Sequence, residues 1–597
     1  MWDEYWEDRG SPWEHDRGPA KNRKWPRLFA QPPNYRGFGK ALSGSEEFRW
    51  HFGPMFYRGR LGDNQVKVLI VGQEGAQDES LSHRSFTGGT GARMQRLLNH
   101  LGVTRSYLFL NTFVYPIFDQ YNGLLPTIAQ HPSSPIARHR TEILDYAAAR
   151  NDLQLAIGVG RAAKESLASW VKAHGGTADP EKLHLADASV ISPNLRMVGV
   201  LHPGGAAQGG AVAGIIASFK AAITKVHEWA DDDAGWLPVD AGATRHSAAS
   251  YTYSSDPIPF RDFPYGTPWR LGRGGTSSNR RDNQRGIQIF SENGKYNNDG
   301  HSLSYTGSVA GTATGYDAPP GDLAWEPPRF AHGDFDRGPG TKFARLLQGG
   351  VAGFPWPDFN TFGLRCQASF GTGPIFRGRL DKPSILVLAD QQSHDDLFTM
   401  RASSGDAGQH LQAFLTAAGL THKYGILRVL PVDTLGEDDS HVEDAVDSSQ
   451  VRAIYAEAIR RSKPAVLVFV GPLAQRLRPH VSPSGTPVVT MKSRRQSGVD
   501  ANWRAALVQL EALSYPRDIA SPTFDYHGER EQIPRHDLPF GTLRWQGSSG
   551  DRAQRPSRSG TPSFDYYKVS MPAWAAALGP TPLSPSEAAA ADVLENL

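Results

Sequence analysis

Apolar and polar positions alternate along the first third of the chain in a pattern that predicts strands and helices in strict turn. Val68-Leu69-Ile70-Val71 is an apolar, β-branched run short enough to be a buried parallel strand. A turn follows at Gly72-Gln73-Glu74-Gly75-Ala76, then a polar loop ending in Ser85-Phe86-Thr87-Gly88-Gly89-Thr90-Gly91. Met94, Leu97, Leu98 and Leu101 then recur at the spacing of one helix face. Tyr107-Leu108-Phe109-Leu110 predicts a second strand that delivers Asn111 at its carboxyl end. A helix beginning near Thr141, a strand over 153–160, a helix from Arg161 to Val171 and a strand from Leu195 to Leu201 continue the series, the last ending at His202. Ile215, Ile216, Phe219, Ile223 and Val226 mark one side of a final amphipathic helix, Ala211 to Trp229. Such alternation predicts a parallel sheet with helices on its faces. Ligands of open α/β sheets sit at the carboxyl ends of the strands, so Gln73, Glu74, Phe86 and Asn111 are expected to share one pocket.

The same pattern returns in the second half. Phe376-Arg377-Gly378-Arg379-Leu380 echoes Tyr57-Arg58-Gly59-Arg60-Leu61. At one constant offset, Gly405 and Gly408 fall on Gly88 and Gly91, Gly419 on Gly102, and Tyr424 on Tyr107. Ala465 to Gly471 matches the third strand, and Asp537-Leu538-Pro539-Phe540-Gly541-Thr542 matches Asp262-Phe263-Pro264-Tyr265-Gly266-Thr267. These echoes imply an ancient tandem duplication. The halves differ where chemistry would lie: Asn111 aligns with Arg428, Phe86 with Ser403, Glu74 with Gln391 and Gly72 with Ala389. The strand matching the one before His202 reads Val488-Val489-Thr490-Met491-Lys492-Ser493, without a histidine. The second half therefore reads as a non-catalytic partner.

Composition narrows the chemistry. Over 597 residues the net charge is only +2, so local clusters must carry any argument for nucleic-acid binding. Arg270, Arg273, Arg280 and Arg281 crowd one Gly/Ser/Asn-rich stretch beside Tyr265 and Trp269, a composition suited to phosphate and base contact or to a solvated loop. Cys366 is the sole cysteine, which excludes an intrachain disulfide, a Cys-ligated zinc site and an iron–sulfur cluster. No metal or cofactor is expected. The chain has no apolar run long enough to span a bilayer and no secretory leader pattern, so a cytoplasmic setting without membrane contact is the expectation.

Four of these segments, in order, resemble the motif blocks of the uracil-DNA glycosylase superfamily. Gly72-Gln73-Glu74-Gly75-Ala76 resembles the family's water-activating loop. Ser85 to Gly91 resembles its base-stacking Phe and Gly-rich helix start, and Leu110-Asn111-Thr112 the strand end with the base-reading Asn. Val200-Leu201-His202-Pro203-Gly204 resembles the His-Pro motif that closes the site. The resemblance covers roughly Phe56 to Glu228. It implies two three-layer α/β/α domains with central parallel sheets, each followed by a loop-rich Arg/Gly/Ser extension. The expected division is an arm over 1–41, a glycosylase-like domain over 42–230, an extension and linker over 231–345, a degenerate repeat over 346–515 and a carboxy-terminal extension and tail over 516–597.

The implied activity is DNA base excision, hydrolysis of the N-glycosidic bond of an extruded uracil or other modified base, as in repair. Bases taken out of the stack are read on the Watson–Crick edge and stacked on an aromatic ring. Asn111 has one acceptor and two donors for such an edge and Phe86 a stacking face, and Gly72 is counted with them among the base-binding residues. His202 is placed to stabilise charge on the departing base. Glu74 or Gln73 would hold the water, and Glu74 is favoured because an amide cannot accept a proton. Gly88, Gly89 and Gly91 open a helix and offer N–H groups to DNA phosphate, with single- and double-stranded DNA both admitted as partners. The loop Pro203-Gly204-Gly205-Ala206-Ala207 departs from relatives that push a large apolar residue into the duplex. Two other readings stay open: an inactive nucleic-acid-binding protein, and a hydrolase of free nucleosides or nucleotides.

Overall fold

The computed structural model describes residues 9–44, 47–48, 54–75, 79, 82–117, 120–204, 211–267, 288–290, 334–364, 375–390, 396, 399–432, 439–542, 552–556, 564–567 and 582–596. The chain divides into two compact units. The amino-terminal unit comprises Pro19–Asp262, Gly272–Ser278 and Gly579–Leu597; the carboxy-terminal unit comprises Met1–Gly18, Phe263–Leu271 and Asn279–Leu578. Each half of the fold thus includes a segment from the far end of the chain.

The amino-terminal unit is built on β1 (Arg58–Gly59), β2 (Val68–Gly72), β3 (Tyr107–Asn111), β4 (Leu155–Val159), β5 (His184–Asp187) and β6 (Arg196–Val200), in sheet order β1-β3-β2-β4-β6-β5. The four central strands run parallel, as the apolar runs predict. Both edges are antiparallel, β1 on β3 and β5 on β6, and these short strands carry too little apolar periodicity to be read from sequence. Its longer helices before residue 233 are α1 (Tyr35–Ser43), α2 (Gly89–His100), α3 (Pro135–Arg150), α4 (Arg161–Ala173) and α5 (Ala211–Asp232), beside the short helices Trp25–Ala30 and Leu125–Gln130. Met94, Leu97 and Leu98 of α2 and Ile215, Phe219 and Ile223 of α5 form one core with Val68, Ile70, Ile157 and Val198. Leu69, Val71 and Ala156, at the alternate positions, are buried as well. A strand covered on both faces must be apolar at every position, which is why these strands show no alternation.

Residues 233–262, expected to begin a loop-rich extension, instead pack as a strap held by three acids. Asp240 accepts hydrogen bonds from the Arg105 and Ser106 N–H groups at 2.6 and 3.0 Å. Asp256 accepts one from Asn99 Nδ2 at 2.8 Å. Asp262 is fully buried, accepting from Tyr107 Oη at 2.7 Å and from Arg58 at 3.2 Å. The carboxy-terminal helix Pro585–Glu595, expected as a tail, docks on α1: Glu587 completes a capping box with Ser584 and also accepts from the Asn34 N–H at 2.8 Å.

The carboxy-terminal unit has strands β7 (Phe376–Gly378), β8 (Ile385–Ala389), β9 (Tyr424–Arg428), β10 (Val466–Val470) and β11 (Val488–Met491), with helices α6 (Asp406–Ala417), α7 (Ser449–Ser462), α8 (Pro472–Val481) and α9 (Val499–Glu511). Its order, β7-β9-β8-β10-β11, repeats the first five positions of the other sheet, again with an antiparallel edge at β7. The buried polar cluster is repeated as well. Arg377, Gln412, Tyr424 and Asp537 interact as Arg58, Gln95, Tyr107 and Asp262 do. Asp518 accepts from three successive N–H groups, Thr421, His422 and Lys423, in the manner of Asp240. Of the two Arg-rich extensions, Gln288–Phe290 pairs with Arg552–Pro556, which pairs with Phe564–Tyr567. Arg270, Arg273, Arg280 and Arg281 lie outside the described residues, as do Met1 to Trp6 of the amino-terminal arm. Among the described residues no helix is long and apolar enough to cross a membrane.

Candidate active site at the carboxyl edge of the amino-terminal sheet

Gly72 at the end of β2 is in register with Asn111 at the end of β3, and Val159 at the end of β4 with Val200 at the end of β6. The segments bearing Gln73, Glu74, Asn111 and His202 therefore leave one edge of the sheet. The backbones of β3 and β6 stand three strand spacings apart, roughly 14 Å.

Phe86 precedes α2 in the left-handed backbone region, at φ 56°. Gly91 explains how a bulky residue is held there: a Cβ at Gly91 would lie 1.7 Å from the Phe86 carbonyl oxygen, so the first turn of α2 closes directly on that carbonyl. The ring packs against Phe109 at a centroid distance of 4.8 Å and sits over Gly72, where a Cβ would be 2.3 Å from its Cζ. Only 6% of Phe86 is exposed, so it is a core residue whose expected stacking face is largely covered. Gly91→Ala is expected to destabilise the amino-terminal unit by about 1–3 kcal/mol, the usual range for overpacking, and to displace Phe86. Chemical denaturation monitored by circular dichroism checks this.

At this helix start the Gly88 N–H is not presented to phosphate as expected. The N–H groups of Thr87 and Gly88 donate to Glu79 Oε1 at 2.8 and 3.0 Å. A buried carboxylate thus already occupies the positive end of α2, and its charge disfavours a phosphate there. Gly91 serves packing, and Gly89 is buried. The carboxy-terminal unit repeats the device, with Asp396 accepting from the Ser403 and Ser404 N–H groups and Gly408 closing on the Ser403 carbonyl.

Asn111 is 5% exposed. Its Nδ2 donates to Ser85 Oγ at 3.3 Å, and Ser85 Oγ donates to the Met55 carbonyl at 3.0 Å. Its Oδ1 is buried without a hydrogen-bond partner and lies 2.8 Å from where a Cβ on Gly72 would be. Buried acceptors are ordinarily satisfied, and one that is not leaves room for a donor from a water or a ligand.

His202 is exposed at the same edge, where Gly160, at φ 82°, leaves space beside its Cβ. Its Nδ1 accepts the Gly204 N–H at 3.1 Å, which assigns the proton of the neutral ring to Nε2. Solvent reaches the ring, yet the surrounding protein and the Arg93 cation both disfavour its charge and lower its pKa to about 4. The Pro203 carbonyl is held by Tyr253 Oη at 2.7 Å and Arg93 Nη1 at 3.4 Å. Gln73 and Glu74 are half-buried, with the Phe113 N–H on the Gln73 carbonyl at 2.9 Å. A Cβ on the next residue, Gly75, would meet Met55 Sδ at 2.1 Å, so a side chain there would displace the Met55 thioether.

Sequence reasoning did not single out Ser85, Glu79, Arg93 or Tyr253 for their roles here. Each acts through a bond to backbone or to another side chain, and no residue pattern announces such a partner. The matching edge of the carboxy-terminal unit differs as expected, with Ala389 and Arg428 at the strand ends. It also holds Asp390, whose carboxylate accepts the Ala474 N–H at 2.8 Å at the start of α8 and whose pKa burial raises to about 7. Among the described residues of the chain no group of His, Cys, Asp and Glu is arranged to hold a metal.

The carboxyl edge of this parallel sheet carries a carboxamide, an imidazole and a Gly-flanked acidic loop, and it is the edge at which open α/β sheets place their ligands. Residues 60–211 match the family model of the Uracil DNA glycosylase superfamily. A comparison with curated proteins found no match.

Proposed function

We propose that the amino-terminal unit is a DNA glycosylase that takes an everted uracil, or another base with the same edge, and hydrolyses its N-glycosidic bond. The carboxy-terminal unit is then a related, non-catalytic repeat. The observation that carries the reading is the unpartnered, buried Oδ1 of Asn111 at the strand end. An acceptor there, with one remaining Nδ2 hydrogen, complements an N3–H beside a carbonyl. As the glycosidic bond lengthens, its electron pair moves onto the base, and charge develops on the ring carbonyls. The Nε2–H of neutral His202 donates to one of them, stabilising the leaving group without a proton transfer. Glu74, with Gln73 beside it, orients a water toward the anomeric carbon and accepts its proton as the new C–O bond forms. The Arg-rich extensions would add sequence-independent phosphate contact.

The burial of Phe86 favours a second reading, nucleic-acid binding without base release. Alkali-sensitive nicks in oligonucleotides bearing uracil, hypoxanthine or hypermodified pyrimidines decide between them. The glycosylase reading expects nicks from the wild type and a loss of about a hundredfold or more in Asn111→Ala, the scale of two lost hydrogen bonds to a buried ligand. Binding that weakens steeply with salt, with no nick in any oligonucleotide, favours the binder.

A further inference from the structure

The direction in which Asn111 presents its carboxamide is set by hydrogen-bond logic. The Met55 main-chain oxygen is a carbonyl and can only accept, so the single hydroxyl proton of Ser85 is committed to it at 3.0 Å. Ser85 Oγ then faces Asn111 as an acceptor, and only the amide nitrogen of Asn111 can complete that contact, at 3.3 Å. The amide oxygen is left pointing away from the serine, buried and unpartnered. Ser85 is itself fully buried and anchored through its own N–H to the Tyr57 carbonyl at 3.1 Å, so the relay has no freedom to invert. The carboxy-terminal unit offers an internal comparison: Ala402 stands where Ser85 does, and Arg428 where Asn111 does, so both members of the relay are absent together.

We propose that Ser85 is a positioning residue that sets base selectivity, by locking Asn111 with its acceptor toward the pocket through the Met55 carbonyl. This rests on the glycosylase reading above. An acceptor beside a donor matches bases with a ring N–H next to a carbonyl, the uracil and thymine type. It opposes cytosine, whose ring nitrogen accepts and whose exocyclic amine donates. Without the hydroxyl, the carboxamide can turn by 180° and present the inverse edge at little cost.

The test uses the full-length chain and oligonucleotides bearing a non-cleavable 2′-fluoro-deoxyuridine or 2′-fluoro-deoxycytidine, with equilibrium binding read by fluorescence anisotropy. Single-turnover release of uracil from the ordinary deoxynucleotide is measured in parallel. The wild type is expected to prefer the uracil probe. Ser85→Ala is expected to lower the uracil-to-cytosine binding ratio about tenfold, one hydrogen bond's worth of discrimination, and to slow uracil release with it. Ser85→Cys, of similar size with a weak acceptor, is expected to fall between, and serves if the alanine variant does not fold. A Ser85 variant that folds and keeps the wild-type ratio overturns the role of Ser85 alone. A wild type that neither prefers nor releases uracil overturns the glycosylase reading and this proposal with it.

Discussion

On the proposed glycosylase reading, His202→Ala is expected to lower the single-turnover rate of base release about 10²–10³-fold, the usual loss when one preorganised donor to developing negative charge is removed, with little change in stability because the side chain is exposed. The size follows from the assigned tautomer. With Nδ1 tied to the Gly204 N–H, the ring's one proton sits on Nε2 and costs no reorganisation when charge appears on the base. The pH dependence carries the same signature. Protein crowding and Arg93 lower the ring's pKa to about 4, so it is neutral from about pH 8 down to about pH 5. Protonation as pH falls through that value would set an Nδ1–H against the Gly204 N–H and break that hydrogen bond. The part of the profile owed to His202 should therefore be flat near neutrality and fall only in acid. A bend near the ordinary imidazole value of 6.5 that disappears in His202→Ala would count against the assignment.

Asp262→Ala is expected to cost the amino-terminal unit about 3–5 kcal/mol, the scale for removing one partner of a buried ion pair. Arg58 and Asp262 are both fully buried, 3.2 Å apart, and Arg60 and Tyr107 converge on the same carboxylate. Burial already disfavours the Arg58 cation and lowers its pKa, an effect that Asp262 opposes. Without Asp262 the guanidinium keeps Gln95 and the face of Phe109, at 3.9 Å, but loses its countercharge. The strap over 233–262 loses its last anchor at the same time. Denaturant unfolding should show one transition moving while the other stays, and Asp537→Ala should move the other. A shift below about 1 kcal/mol in Asp262→Ala would mean that the cluster is not an energetic centre of the unit.

The central strands, the helices between them and the repetition of one strand order in the two halves were legible because each is written in local pattern. A run such as Val68 to Val71 is apolar at every position because both its faces are covered, and the glycines at 91 and 408 are needed wherever α2 and α6 close on the preceding carbonyl. The strand ends bearing Gly72, Asn111 and His202 were legible for the same reason, since parallel strands of known length end at countable places. Phe86, read as a stacking face for a base, is 6% exposed. Its ring is spent largely on Phe109 and Gly72, a consequence of packing between segments far apart in the chain. Gly88 was read as a free donor, and a carboxylate nine residues earlier had already taken its N–H.

By itself, the sequence determined which segments are strands, which edge of the sheet bears the polar side chains, and which half lacks them. Periodicity and register depend on neighbours a few residues apart. The tertiary structure alone decided which way the Asn111 carboxamide faces, which nitrogen of His202 carries the proton, and that the acids of the 233–262 strap close the fold. Those outcomes depend on hydrogen-bond partners brought together from distant segments, and a donor's single proton is committed only once its acceptor is in place.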